Sequence, residues 1–276
     1  MDISTILFFG SGIAFIASLI PVPMRKYCAM MGWTCVVGAV FVRIPTYLLV
    51  ENNFMYPILA LLSLPFLYIT LRLLLRENEL VLGLSLIPAI AWLIYMPFWY
   101  IETLRTGLIA ATVDQISMAL WVLDFPVELI EWNIFMHNQF LVEIVFGCTG
   151  ISSIAILMGF VFAVQTSRRQ KMISFCLIVP VILFANLLRN VVVIMAYTDQ
   201  WFASFPALET NGKFGYSSYF WAHNVISEVF IALVTIILLA YALFLINPEL
   251  VTFVRDVVDL YRGELRNLGV SLGVAG

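Results

Sequence analysis

The chain alternates long apolar runs with short polar connections. Seven runs, at about 4–20, 27–50, 54–75, 80–99, 146–166, 172–196 and 218–246, match the roughly 20 apolar residues a helix needs to cross about 30 Å of hydrocarbon. The pattern predicts an all-α polytopic membrane protein of about seven transmembrane helices. An eighth stretch, 107–123, is also fairly apolar, but crossing there would bury Asp114 in the membrane at a cost of about 2–3 kcal/mol. It reads instead as an amphipathic helix on the outer surface. Between 127–135 and 140–146, both rich in β-branched and aromatic residues, lies the polar stretch Met136-His137-Asn138-Gln139. That stretch has the length of a hairpin turn and predicts a small outer β-hairpin leading into residue 148, with an irregular re-entrant loop as the alternative. Toward the end, apolar residues at 250, 251, 254, 257, 258, 261 and 265 keep helical spacing. They predict an amphipathic helix on the cytoplasmic surface.

Texture divides the chain into four parts. Residues 1–100 form a four-helix scaffold almost free of polar groups except Arg43, 101–145 the outer helix and hairpin, 146–246 a three-helix region with polar residues near its ends, and 247–276 the tail. Composition agrees with the bilayer reading, since 63% of the residues are hydrophobic and 11% charged, against about 25% charged in an average soluble domain. A net charge of −3 says little about partners, and no nucleic-acid partner is expected. The first run follows Met1-Asp2 without a basic leader or a clear cleavage site, so it reads as a retained anchor.

Charge orients the spans, because cytoplasmic connections are enriched in Lys and Arg. Ten of the fourteen basic residues fall in alternate connections: Arg25, Lys26, Arg72, Arg76, Arg168, Arg169, Lys171, Arg255, Arg262 and Arg266. Only Arg105 and Lys213 occupy the opposite ones. The expectation is an outside N-terminus, a cytoplasmic C-terminus and a cytoplasmic membrane location.

Candidate chemistry then gathers at one depth. Cys28, Cys35 and Cys176 read as small apolar fillers. Cys148 differs, because Gly147 and Gly150 flank it and Thr149, Ser152 and Ser153 stand beside it at the start of the fifth run, near the outer surface. Arg189 is a guanidinium inside an apolar run, which is costly and marks a functional site by default. Counting about 1.5 Å per residue from the cytoplasmic end sets it about 26 Å up, level with Cys148. Asn186 shares its helix face and is expected to hold the guanidinium. His223, one of two histidines, stands about a turn into the seventh run at the same level. Together the three suit acyl transfer: the thiolate is the attacking species and needs nearby positive charge, a fixed cation can stabilise an oxyanion, and an imidazole can carry a proton to a departing amine. Which of Arg189 and His223 does which stays open at this level. Neither a cofactor nor a metal is expected.

Three runs carry a resemblance. C-T-G-I-S-S-I-A-I from Cys148, L-L-R-N-V-V-V-I around Arg189 and S-Y-F-W-A-H-N-V-I ending at Ile226 resemble the signature regions of the exosortase and archaeosortase family. The tail N-P-E-L-V-T-F-V-R-D-V-V-D-L-Y resembles the archaeal branch, whereas the first four helices match only in general hydropathy. This resemblance implies a membrane cysteine transpeptidase whose active site faces the outside. Its substrates would be secreted surface proteins of S-layer glycoprotein type, bearing a C-terminal signal built from a Pro-Gly-Phe motif, an apolar helix and a basic cluster. The acceptor would be an archaeal ether phospholipid with an ethanolamine head. By position, Cys148 is then the acyl-thioester nucleophile and Arg189 the proton donor or thiolate partner. The third position departs from the archaeal branch, where an Arg in an A-D-R-V-I context would align with Asn224, so His223 and Asn224 both remain candidates.

Two rivals come from other classes. In a transporter or channel, Arg43, Arg189 and His223 would line an anion path. A thiol oxidoreductase would want a second outer cysteine, which the chain lacks on that side. Arg43, Glu51, Glu143, His137 and Glu228 are weaker candidates: Arg43 is expected to snorkel or pair with Glu51. Glu228, five residues beyond His223, is out of α-helical pairing register with it.

Overall fold

The computed structural model describes residues 2–21, 23–49, 55–206 and 214–271, so Glu51 and Lys213 lie outside the described residues. Helices dominate, and they group into two compact units. One unit runs to Leu93 and adds Met158–Lys171 and the chain from Asn247; the other comprises Ile94–Leu157 and Met172–Ile246.

The first unit contains α1 (Ile3–Ala17), α2 (Arg25–Val42), α3 (Ile44–Leu49), α4 (Met55–Leu75), most of α5 (Glu79–Tyr100) and α11 (Pro248–Ser271). Asp2 caps α1 by accepting from the Thr5 amide at 2.9 Å, and the Thr5 hydroxyl together with that amide holds its carboxyl below the usual carboxylate range. Helices approach closely where a side chain is missing: a Cβ added at Gly32 would come within 2.8 Å of the Phe15 ring. Small residues serve that purpose in membrane bundles, where lipid is as apolar as the core and tight packing supplies the contact energy. Tail helix α11 is helical as its spacing predicts, and its Leu260, Tyr261 and Leu268 pack onto a core of Ala29, Ile69, Leu73, Leu74, Val81 and Leu82.

The second unit begins in the end of α5 and continues through α6 (Glu102–Val122), strands β1 (Glu128–Glu131), β2 (Ile134–His137) and β3 (Phe140–Glu143), and a 3₁₀ turn (Phe146–Thr149). It also holds the start of α7 (Ile151–Ala163), most of α8 (Arg168–Thr198), α9 (Tyr216–Phe220), a π-helical stretch (Trp221–Ala232) and α10 (Leu233–Ile246). Ile109, Val113, Ile116 and Leu120 form the buried face of α6 and join Phe135, Ile144, Phe146, Ile151, Val191 and Ile194 in one core. Asp114 and Gln115 lie on its exposed face.

Five described helices are long and apolar enough to span a membrane: Arg25–Leu49, Pro57–Leu75, Glu79–Tyr100, Arg168–Thr198 and Tyr216–Ile246. The other two predicted runs are shorter than hydropathy suggests, with fifteen residues in α1 and thirteen in α7. Gly150 explains the second case. Its φ of +77° is left-handed and separates Cys148 from the helix, so the thiol stands in the 3₁₀ turn rather than on a transmembrane helix.

The predicted hairpin is a three-stranded antiparallel meander in the order β1-β2-β3. Its second turn is Asn138-Gln139, both at positive φ (47° and 68°), as tight two-residue hairpin turns require. The first turn, at Trp132-Asn133, cuts the long segment 127–135 into two strands. Asn133 makes that cut possible: its side-chain amide donates to the Ile144 carbonyl at 3.0 Å, and its own carbonyl accepts from the Ile144 amide at 2.8 Å.

Candidate active site

The 3₁₀ turn that carries Cys148 is held from three sides. Phe146 packs against Tyr95 and Trp99, with ring centroids 5.4 and 5.6 Å apart. Within the turn, the Cys148 amide donates to the Val145 carbonyl at 2.8 Å, and the buried Thr149 hydroxyl donates to the Phe146 carbonyl at 2.8 Å. From α8, two side-chain amides converge on one oxygen: Asn186 Nδ2 and Asn190 Nδ2 donate to the Cys148 carbonyl at 2.7 and 2.9 Å. Both asparagines are buried, and they lie one helical turn apart, which puts them on the same face of α8.

Asn186 therefore does something other than the sequence predicts. Its bond goes to the Cys148 backbone instead of to the Arg189 guanidinium, whose Nε is buried and has no hydrogen-bond partner among the described residues. The reason is geometric. With φ positive at Gly150, the turn brings its backbone against Asn186, and a Cβ added there would lie 3.3 Å from Asn186 Cβ.

Beside the turn is a cavity of about 80 Å³. Gly147, Gly150, Ser152 and Ser153 form one wall; Ile182, Ala185, Asn186 and Arg189 of α8 form a second; Ile231, Ala232, Thr235 and Ile236 form the third. One cation lines it and no acid does. Gly150, Ser152 and Ser153 in its wall belong to a helix start: Ile154 makes the first α-type bond of α7, to the Gly150 carbonyl at 3.2 Å. Amides of the first turn have no partner within a helix and carry the positive end of its dipole. The cavity is thus suited to negative charge.

His223 and Asn224 do not line this cavity. They meet each other instead, with His223 Nδ1 donating to Asn224 Oδ1 at 2.9 Å. Glu228 is also close, its Oε1 4.0 Å from His223 Nδ1. This overturns the expectation that a spacing of five separates the two side chains. The backbone here is π-helical, closing i to i+5, so residues five apart share a face. Ser227, in the same stretch, has a buried hydroxyl with no partner among the described residues.

Tyr219 joins the two groups, and nothing in the spacing of the chain marked it out. Its ring stacks on His223 with centroids 5.1 Å apart and planes 16° from parallel. Its phenol lies within electrostatic range of Cys148, Arg189 and Glu228. The same holds for Asn190; both residues sit inside the motif runs, Asn190 beside Arg189 and Tyr219 four residues before His223.

The weaker candidates take other places. His137 Nε2 pairs with Asp199 at 2.9 Å, and Asn138 donates to the same carboxylate at 3.0 Å, which ties the β2-β3 turn to the end of α8. Arg43 is exposed, with its guanidinium 5.4 Å from the Tyr47 ring centroid.

Cys148 itself does not line the cavity, but Gly147 and Gly150 on either side of it do, together with Arg189, whose Nε has no partner among the described residues. With the spanning helices, these features define a multi-pass membrane protein with a built polar site. The transmembrane exosortase family model matches residues 16–241, and the chain belongs to that family. Archaeosortase A of Haloferax volcanii is 26% identical over 255 residues, 84% of each chain. Archaeosortase A of Natronomonas pharaonis is 27% identical over 239 residues, covering 80% of this chain and 75% of the relative. No solved structure matches the chain.

Proposed function

We propose that this chain is a membrane cysteine transpeptidase, which cleaves the C-terminal sorting signal of secreted surface proteins and transfers the new C-terminus to a membrane lipid. The observation that supports this most directly is the anion-suited cavity bounded by the glycines flanking Cys148 and by Arg189. In this reading the Cys148 thiolate attacks the carbonyl carbon of the scissile peptide bond, and the carbonyl electrons move onto oxygen. Arg189, with an unspent Nε–H, stabilises that oxyanion and the thiolate before it. Collapse expels the amine of the signal segment, which takes up the proton that the thiol gave up. His223 carries that proton: its Nδ1–H is committed to Asn224, leaving the Nε2 lone pair to accept and return it. Asn224 thereby acts as the partner that orients His223, and Tyr219 holds the ring flat against its own. An amine on the acceptor lipid then attacks the thioester, forms an amide and restores the thiol.

The resemblance at the three motif runs extends the proposal to a Pro-Gly-Phe signal of S-layer type, an ethanolamine ether phospholipid as acceptor, and a site on the extracellular face of the cytoplasmic membrane. Incubating wild type and Cys148→Ala in lipid with a Pro-Gly-Phe signal peptide tests it by mass spectrometry. A peptide adduct on Cys148 that is absent from the variant is the expected result. Neither adduct nor cleavage in the wild type, or a Cys148→Ser protein that processes like wild type, overturns the reading.

A further inference from the structure

We infer that Asn186 and Asn190 of α8 divide their work, Asn186 serving as a second oxyanion donor beside Arg189 and Asn190 serving only to position the nucleophile's turn. The inference rests on the transpeptidase reading above. Both amides donate to the same atom, the Cys148 carbonyl oxygen, at 2.7 and 2.9 Å. A carbonyl oxygen has two lone pairs, so the pair saturates it. Their surroundings differ. Asn186 lines the cavity together with Arg189, whereas Asn190, at 4% exposure, does not.

A side-chain amide carries two N–H donors. The first donor of Asn186 is spent on Cys148, and no second bond from its Nδ2 is found among the described residues. Two unspent donors therefore adjoin one small cavity from the same helix, the second N–H of Asn186 and the buried Nε–H of Arg189. The Cys148 bond gives Asn186 what an oxyanion donor needs: it is already immobile, so no reorganisation accompanies charge development on the substrate oxygen. The same bond ties that donor to the turn bearing the attacking sulfur. Nucleophile and oxyanion donor thus keep a constant separation.

In chemical terms, Asn186 acts as the Cys–S bond forms and the scissile C=O becomes C–O⁻, and again when the acceptor amine adds to the thioester. In both halves the oxyanion collapses, expelling the signal amine in the first and the Cys148 thiolate in the second, so Asn186 neither gains nor loses a proton. Asn190 is a positioning residue, acting through Cys148.

Three measurements on purified full-length protein in lipid separate these roles: single-turnover acylation of Cys148 by the signal peptide, iodoacetamide alkylation of Cys148 across pH, and acylation by a peptide whose scissile amide is a thioamide, a poorer hydrogen-bond acceptor. Asn186→Ala is expected to slow acylation about 100- to 1,000-fold, the usual effect of removing one oxyanion donor, while the alkylation profile stays close to wild type because Asn190 still holds the carbonyl. It also narrows the oxo-to-thioamide rate ratio. Asn186→Leu, which keeps about the same volume without charge and loses both N–H groups, behaves the same way and guards against a mere packing defect. Asn190→Ala shifts alkylation and acylation together and leaves the oxo-to-thioamide ratio at the wild-type value. An Asn186→Ala protein whose alkylation and acylation fall in parallel, or whose ratio is that of wild type, overturns the division. Absence of acylation in the wild type counts instead against the transpeptidase reading itself.

Discussion

In the first unit, polar side chains within the helices find partners across the packing. Trp33 Nε1 donates to Ser85 Oγ at 2.9 Å, Thr70 and Tyr261 share a hydroxyl contact of 2.6 Å, and Glu264 lies 3.7 and 3.4 Å from Arg72 and Arg76. In the second unit, the helices that bear the motif runs keep groups in reserve: Arg189 Nε and Ser227 Oγ are buried and unspent among the described residues, and Tyr219 stacks on a histidine. A buried polar group without a partner costs about 1–3 kcal/mol. Thr166 Oγ1, in a connection of the first unit, carries the same cost, and Ser227 does not line the cavity. At Arg189 the cost falls beside a cavity, where the arrangement makes sense as readiness for a ligand.

That contrast can be broken by substitution. Cys148→Ala is expected to remove processing and the acyl adduct altogether while the protein keeps its helix content by circular dichroism. Arg189→Met follows, with acylation reduced by about 100-fold or more; Arg189→Lys does not restore it, because a point charge lacks the planar fork. Gly150→Ala comes next: forcing a side chain into the left-handed conformation costs about 1–2 kcal/mol, and the 3.3 Å approach of Asn186 adds to it. Both acylation and thermal stability should fall together.

In the first unit, Gly32→Ala drives a methyl against the Phe15 ring and should destabilise by about 1–3 kcal/mol through overpacking. Its signature is a lower melting temperature with unchanged acylation per folded molecule, the reverse of Arg189→Met. Smallest of all is Lys26→Met, which removes the 2.6 Å contact with the exposed Glu77. That contact holds the Glu77 carboxyl below its ordinary range. Its contribution is present above the ordinary carboxylate value and disappears as pH falls through the depressed one, so any difference between Lys26→Met and wild type in urea unfolding should vanish in acid.

Much of this was legible without coordinates, for reasons that differ by element. The hydropathy of 54–75, 80–99, 172–196 and 218–246 predicts helices that are present within a few residues of those limits. Pro65 in α4 and Pro180 in α8 do not break these helices, whose apolar length outweighs one lost bond. The runs around Cys148 and Arg189 likewise drew attention to residues that adjoin one cavity. Asn190 and Tyr219 escaped notice because their roles depend on what faces them, and a single asparagine or tyrosine in an apolar run has many uses.

What the sequence determined by itself is what adds up locally: the membrane environment, the helices, the polar runs and the residue types available for chemistry. Hydrophobic transfer is additive along a chain, so its sum can be read without knowing the fold. The tertiary structure decided four things that depend on register and partner. It set Cys148 in a turn ended by Gly150, cut a predicted strand at Asn133, gave the Asn186 amide to the Cys148 carbonyl rather than to Arg189, and wound 221–232 as a π-helix so that Glu228 lies beside His223. Each is a choice between hydrogen bonds of similar strength, and such choices are settled by packing from elsewhere in the chain.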